Sequence, residues 1–203
     1  MARRHCAAEY SPVIAPGMPE FFEHESPRLR LMAWQERHIA PFIAMNCDPE
    51  VMRYFPSLID EQQSRASIDF WMSQFSERGW SNWAVELKQT GEFIGFVGLW
   101  TPRLTMPFSP CVEIGWRLAR RFWGQGYATE GAEASLRAGF EQLGLTEVVS
   151  YTALSNKPSR AVMERIGMRN TGEDFDHPAV PLDSPLRRHC LYQITREAWV
   201  QGR

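Results

Sequence analysis

The chain has 203 residues, of which 44% are hydrophobic and 23% charged, and these proportions fit one globular domain with a full core. Its formal net charge is −2 at pH 7, whereas a protein that binds duplex nucleic acid usually carries a basic excess, so the composition disfavours nucleic-acid binding. No apolar run approaches the roughly 20 residues of a membrane span, and no apolar segment follows the basic start, which predicts a cytoplasmic protein that lacks a signal peptide and makes no membrane contact.

The cysteines and histidines give no sign of a metal site. The four cysteines are scattered along the chain and form no CxxC pair, and the five histidines lack ligand spacing. Reduced cytosolic thiols and the absence of a metal are therefore predicted.

The first half of the chain begins with a predicted N-terminal extension, residues 1–26, because three prolines there interrupt any regular element. The domain is predicted to span residues 27–203. Its first strand is predicted over residues 29–34, and a short helix is predicted to begin after Asp48, a good N-cap followed by proline. Residues 60–63 resemble a capping box and open a helix whose apolar residues recur at i, i+3, i+4 and i+7.

The second half alternates strands with helices. Two strands over residues 83–100 are predicted to form a hairpin, because an alternating pattern is followed by a Thr-Gly turn and a more apolar strand. The elements predicted after it are a strand over 111–118, a loop over 120–126, a helix that ends at Gly144, a strand over 147–153, a short helix that ends at Gly167, and closing strands over 168–175 and 188–195. This alternation predicts an α/β fold with a parallel strand pair.

The segment between Glu113 and Glu130 carries the most information about chemistry. A strand runs through a loop with Gly124 and Gly126 directly into a helix, whose first turn presents free N–H groups and a partial positive charge. Such a turn binds anions, most often phosphate, and glycine allows the backbone to approach the anion closely. Three arginines and no acid lie between the two glutamates, so the segment predicts a phosphate site, although a plain turn with a solvated basic face is the alternative.

Two common phosphate motifs fit this loop poorly. Walker A requires a lysine after the second glycine, and none is present. The dinucleotide fingerprint GxGxxG requires glycine where Thr129 stands, although Glu147 lies about 20 residues further on, where that motif places an acid. A nucleotide-linked oxidoreductase therefore remains only a weak alternative.

The pattern Arg121-x-x-Gly124-x-Gly126 resembles the pyrophosphate signature [RQ]xxGx[GA] of the GNAT acetyltransferases. Its flanks, Val112–Trp116 and Trp123–Glu130, are similar to the branch that includes the ribosomal-protein N-terminal acetyltransferases. Asn156-x-x-Ser159 and the residues up to Met168 resemble the second motif of that branch. The resemblance runs from about residue 27 to 199.

The resemblance implies a single-domain GNAT fold, which is a mixed, mostly antiparallel sheet with a central splayed parallel pair flanked by helices. The parallel strands would be 111–118 and 147–153, with acetyl-CoA as cosubstrate in the cleft between them. The residues implied in binding acetyl-CoA are Trp116, Arg117 and Leu118 through backbone groups along the pantetheine arm, Arg121, Gly124, Gln125, Gly126, Tyr127 and Ala128 around the pyrophosphate, and Asn156 and Ser159 near the sulfur. For Asn156, a helix N-cap is an equally good interpretation.

Acyl transfer from a thioester to an amine requires a base, because an ammonium group is not nucleophilic. Glu113 is the candidate base or water-positioning residue, with a structural ion pair as the alternative. Ser159 is the candidate proton donor to the departing thiolate. Many GNAT enzymes use a tyrosine on the last helix, but Met163 stands at that position here; Tyr151 is a substitute or a core residue.

The resemblance implies a protein N-terminal α-amine as the acceptor, with a small-molecule amine as the alternative. Trp80, Trp83 and Trp100 are candidates for lining the acceptor cleft, although aromatic residues at strand spacing are more often core. A non-catalytic acyl-CoA sensor on the same fold is a further alternative, and whether the chain forms a homodimer is left open.

Overall fold

A computed structural model describes residues 22–202. Within this range nine strands form one sheet with the order β1-β2-β3-β4-β5-β6-β9-β7, and β8 pairs with β9. The strands are β1 His24–Glu25, β2 Leu29–Met32, β3 Asn82–Leu87, β4 Phe93–Trp100, β5 Glu113–Leu118, β6 Glu147–Ala153, β7 Arg169–Asn170, β8 Phe175–Asp176 and β9 Arg188–Thr195. All neighbours are antiparallel except β5 and β6, which are parallel. The predicted mixed sheet with a central parallel pair is therefore confirmed.

Helices cover both faces of this sheet. They are α1 Glu36–Asn46, α2 Pro49–Met52, α3 Glu61–Arg78, α4 Tyr127–Arg137, α5 Lys157–Arg165 and α6 Arg196–Gln201, with a 3-10 turn at Arg120–Phe122 and a π turn at Ala138–Gln142. Phe42 of α1 and Trp71 of α3 pack on Phe96, with ring centroids 6.1 and 4.8 Å away. The opposite face receives α4, whose Gly131 lies against Val97. None of the helices in the described part of the chain combines the length and apolar character that a bilayer crossing requires.

The edge of the sheet begins inside the stretch predicted as an extension. Strand β1 pairs with β2, the amide of Phe22 donates to Gly79 O at 2.8 Å, and the Trp83 indole donates to Phe22 O at 2.7 Å. Residues 22–26 therefore pack on the domain. The rest of the predicted extension, residues 1–21, lies outside the described residues.

Most local signals correspond to observed elements, with two corrections. The sequence patterns predict no helix between Trp34 and Asp48, yet α1 fills this stretch in spite of Pro41. Its start is held by tertiary contacts, since His38 Nδ1 accepts from the amide of Gln35 at 3.0 Å while Nε2 bonds Glu86 at 2.8 Å. The strand predicted over 168–175 is split into β7 and β8, because Gly172 turns the chain with φ +77°.

Candidate functional site

The parallel strands β5 and β6 share a single register pair, Glu113 with Val149. Two further bonds close this end: Val149 N donates to Val112 O, and Ser150 Oγ donates to Ile114 O, both at 2.9 Å. Beyond these contacts the pairing ends among the described residues, although β5 continues to Leu118 and β6 to Ala153. The middle of the sheet therefore has an opening with free strand edges.

A cavity of about 1580 Å³ fills this opening. It extends from the first turn of α4 along β5 and β6 to the start of α5, and Glu113 lies in its wall. Pockets for one small ligand usually measure about 300–1,000 Å³, so the cavity has room for a large substrate and a second one. Of the predicted binding residues, the lining includes Trp116, Arg117, Leu118, Gly124, Gly126, Tyr127, Ala128, Asn156 and Ser159.

The loop before α4 presents backbone N–H groups at the start of the helix. Gly124 and Gly126 have φ values of +72° and +80°, a region that residues with a Cβ rarely adopt. Gly126 is the N-cap of α4 and supplies no side-chain cap, and the first helical amide to reach a backbone acceptor is that of Glu130, at 3.0 Å from Gly126 O. The amides of Tyr127, Ala128 and Thr129 therefore remain available to an anion.

Arg28, which directly precedes β2, holds this loop in place through three contacts. Its Nη1 donates to Gln125 O at 3.0 Å, its Nε donates to Glu130 Oε2 at 2.6 Å, and its guanidinium lies 4.4 Å from the Tyr127 ring centroid. Glu130 also accepts from Ser26 Oγ at 2.6 Å and from the Arg28 amide at 2.8 Å. Arg28 could not be predicted from the sequence, because about 100 residues separate it from its partners and no local pattern marks the contact.

The structure places Arg121 and Gln125 away from the cavity lining. Arg121 Nη2 donates to Glu92 Oε1 at 2.6 Å, and both side chains are largely exposed. Gln125 Nε2 donates to Arg121 O at 3.1 Å. That the Arg121 side chain binds pyrophosphate stays a prediction. It requires the Arg121 guanidinium to leave Glu92 and contact the ligand instead.

Asn156 caps α5 and lines the cavity as well. Its Oδ1 accepts from the Ser159 amide at 3.3 Å, and its Nδ2 donates to Thr152 Oγ1 at 2.9 Å. The cap role is therefore present in the structure. Ser159 lies in the first turn of the same helix and also lines the cavity.

Glu113 is buried at the closed end of the opening. Burial raises the pKa of its carboxyl group to about 8, although nearby Tyr151 and Trp100 side chains oppose the shift. Its Oε2 is buried without a hydrogen-bond partner among residues 22–202. Burial and the adjacent Glu113 also raise the pKa of the Tyr151 hydroxyl, so that it stays protonated. The ion pair considered for Glu113 is absent from the described part of the chain, since no positive group contributes to its pKa.

The three tryptophans considered for the acceptor cleft occupy different environments. Trp83 is fully buried in the core, and Trp80 stacks with the Arg78 guanidinium, 3.7 Å from its ring centroid. Of these three tryptophans, only Trp100 lies in the cavity wall. Met163 is fully buried and provides no hydroxyl. Among the residues that the structure describes, no group of three His, Cys, Asp or Glu side chains is arranged to hold a metal ion.

Comparisons with known proteins agree with this arrangement. A family model described as an acetyltransferase (GNAT) domain matches residues 28–169. The chain is 36% identical over 144 residues to the uncharacterized protein YkkB of Bacillus subtilis, covering 70% of this chain and 81% of YkkB. It is 32% identical over 188 residues to the FsC-acetyl coenzyme A-N(2)-transacetylase of Aspergillus fumigatus. This match covers 86% of this chain and 76% of the transacetylase. The crystal structure of a GNAT-family acetyltransferase from Bacillus anthracis superposes with a TM-score of 0.72 at 25% identity, covering 87% of this chain and 99% of that one.

Proposed function

Because this chain belongs to the acetyltransferase (GNAT) family, we propose that it transfers an acetyl group from acetyl-CoA directly to the α-amine of a protein N-terminus. The observation that carries the proposal is the opening between β5 and β6, which connects the anion site at α4 with the buried carboxyl group of Glu113. A long phosphate-bearing thioester fits such a path, with its reactive end at the proton acceptor.

The residues present fit acetyl-CoA, which supplies the activated acetyl group. Amides of Gly124 to Ala128, together with the Arg121 side chain, would hold the pyrophosphate at the start of α4. The free edge of β5 from Trp116 to Leu118 would bond the pantetheine arm as an added strand. Asn156 and Ser159 would contact the arm near the sulfur.

Glu113 would accept the proton that the acceptor ammonium must lose, directly or through a water molecule. The amine nitrogen would then attack the thioester carbonyl carbon, and a backbone N–H near Trp116 would stabilise the oxyanion. As the carbon–sulfur bond breaks, the nitrogen would give up its second proton, which balances the proton that the departing thiolate takes up. A pKa of about 8 for Glu113 is close to the value near 8 of a protein α-amine, so this proton transfer is nearly balanced in free energy.

Ser159 would donate a proton to the departing thiolate from its place at the start of α5. Tyr151 is the competing donor, because it lines the same cavity and its hydroxyl stays protonated. Replacing Ser159 with Ala and, separately, Tyr151 with Phe distinguishes them: the donor's loss lowers kcat most with acetyl-CoA and least with a thioester whose thiol has a low pKa.

The experiment that tests the function measures thiol release and product mass with acetyl-CoA and peptides. Each peptide contains one lysine and is supplied with a free or a blocked N-terminus. We expect thiol release and a single acetyl group on the free-N-terminus peptide only. Acetylation of the blocked peptide at lysine would contradict the N-terminal assignment. If the chain binds acetyl-CoA but releases no thiol with any amine, it is a sensor.

A small-molecule amine is the second candidate acceptor. It is favoured by the name of the Aspergillus fumigatus relative, which specifies acetyl coenzyme A and transfer to an N(2) position. A panel of amino acids, polyamines and other small amines in the same thiol assay separates the two. A kcat/KM for one small amine far above that of every peptide would establish this second function.

A further inference from the structure

Arg117 is a cavity-lining cation that has no acidic partner among residues 22–202. Its Nη1 donates to Asn46 Oδ1 at 2.7 Å, and its guanidinium lies 4.2 Å from the Phe55 ring centroid and 5.5 Å from that of Phe96. Its Nε is buried with no acceptor among residues 22–202, and no carboxylate in that range forms an ion pair with the guanidinium. The cationic group therefore rests on one neutral amide and two aromatic rings.

Such a group is costly unless an anion joins it. Burial lowers the pKa of Arg117 to about 10, so the side chain remains charged at neutral pH while it has lost part of its hydration. Charged groups that lose their hydration in proteins are normally paired with an opposite charge, because nothing else replaces the lost solvation in full. A ligand carboxylate in the cavity would supply the missing pair in a planar geometry that guanidinium matches.

The direction of the side chain assigns this anion to the acceptor. Arg117 is paired with Phe96 across β4 and β5, and both face α1 and α3, opposite the face that α4 covers. Glu113 lies four residues earlier on β5 and therefore on the same face as Arg117. The phosphate-binding turn of α4 belongs to the other side, so the guanidinium and the candidate base share the part of the cavity left to the second substrate.

We propose that Arg117 binds a carboxylate of the acceptor and thereby selects amines that carry one. The inference rests on the proposed acetyl transfer and specifies its substrate class. Two sources have this chemistry: the free carboxylate of an amino acid, and an acidic side chain close behind the N-terminal amine of a peptide.

Matched acceptors test the inference in the wild-type chain. The first pair is an amino acid and its amide, and the second is a peptide with Asp at position 2 or 3 and the same peptide with Asn, all with amidated C-termini. We expect kcat/KM to be at least about tenfold higher for the acid in one of the pairs, because a hydrogen bond to a charged group is stronger than one to a neutral group. The pair that shows the preference identifies the source.

In the variant Arg117→Gln, the ratio of kcat/KM for the acid to kcat/KM for its neutral counterpart should fall close to one. The KM for acetyl-CoA should change less than about twofold, since backbone groups of β5, and not side chains, are proposed to bind the cofactor. Arg103→Gln is the matched control: it removes another cavity-wall guanidinium, which stacks 3.5 Å from the Phe70 ring centroid, and should leave the ratio unchanged. A ratio within one protein does not depend on the folded fraction.

Equal kcat/KM for acid and neutral acceptors in wild type would overturn the inference, as would a preference that survives Arg117→Gln. A raised KM for acetyl-CoA with an unchanged ratio would move Arg117 to the cofactor site. If no amine releases thiol, the proposed function fails instead. The carboxylate site is then decided by binding, measured as the rise in Tm that each acceptor gives in the presence of CoA, which must favour the acids and require Arg117.

Discussion

Among single residues, Glu113 has the environment with the clearest consequence for pH dependence. Burial raises its pKa from 4.5 to about 8, so between these values the folded chain holds a proton that the unfolded chain has released. Stability therefore falls as pH rises through this window, and the carboxyl group becomes a proton acceptor only towards pH 8.

Replacing Glu113 with Gln should lower kcat by about 100-fold, because the contribution of a positioned base is typically 10²–10⁴-fold. The dissociation constant of acetyl-CoA should stay unchanged, and thermal unfolding between pH 4.5 and 8 should lose the part of its pH dependence that this carboxyl group causes. Steady-state kinetics and calorimetry check both effects. A fall in acetyl-CoA affinity with kcat retained would identify Glu113 as structural.

Gly126 is a second residue whose local geometry leads to a testable prediction about binding. Gly126→Val places a β-branched residue at φ +80° and a side chain where the anion must approach, so we expect a stability loss of about 1–3 kcal/mol and acetyl-CoA affinity lowered by at least tenfold. Gly144→Val is the control, since Gly144 has φ +74° and open space around it, outside the cavity lining. Equal acetyl-CoA affinity in the two folded variants would refute the placement of the pyrophosphate.

At the scale of elements, the Arg28–Glu130 pair joins the residue before β2 to α4 and holds the loop that precedes this helix. The Glu130 side chain is 15% exposed and receives hydrogen bonds from Ser26, Arg28 N and Arg28 Nε. These bonds lower the pKa of Glu130 in spite of an opposing burial effect. The pair therefore holds the loop in place before a ligand arrives, which reduces the ordering cost of binding.

Glu130→Gln should destabilise the chain by about 1 kcal/mol, because hydrogen bonds to a neutral amide are weaker than those to a charged carboxylate, and raise the acetyl-CoA dissociation constant several-fold. Glu61→Gln breaks the exposed Arg65–Glu61 pair and should cost less than about 0.5 kcal/mol without an effect on binding. Chemical denaturation and titration calorimetry measure both. Identical behaviour of the two variants would remove the positioning role of Glu130.

The elements that sequence could predict are those with local signals. The hairpin of β3 and β4 follows from alternation around a Thr-Gly turn, and the α4 loop follows from Gly124 and Gly126, whose positive φ values need glycine. Helix α1 could not be predicted from local signals, because its start depends on a contact with Glu86 of a distant strand. The contact of Arg117 with Asn46 could not be predicted for the same reason, since 71 residues separate the two along the chain.

At the scale of the whole molecule, the sheet separates two tasks. The face with α4 carries the loop of Gly124 and Gly126, the face with α1 and α3 carries Arg117 and Glu113, and the opening between β5 and β6 connects them. Acyl transfer needs two substrates from different sides to meet at one carbonyl carbon, and a sheet that opens in its middle provides such a meeting point without moving its strands.

Thermal unfolding with ligands tests this whole arrangement at once. Acetyl-CoA or CoA at about 100 times its dissociation constant should stabilise the folded chain by about 2.7 kcal/mol, which raises Tm by roughly 5–10 °C for a domain of this size. NAD should give no rise, because Thr129 stands where a dinucleotide loop needs its third glycine. A rise with NAD alone would assign the α4 loop to a dinucleotide. A rise with both CoA species that disappears in Gly126→Val and persists in Gly144→Val would tie the stabilisation to the α4 loop itself, since only the first substitution obstructs the anion site.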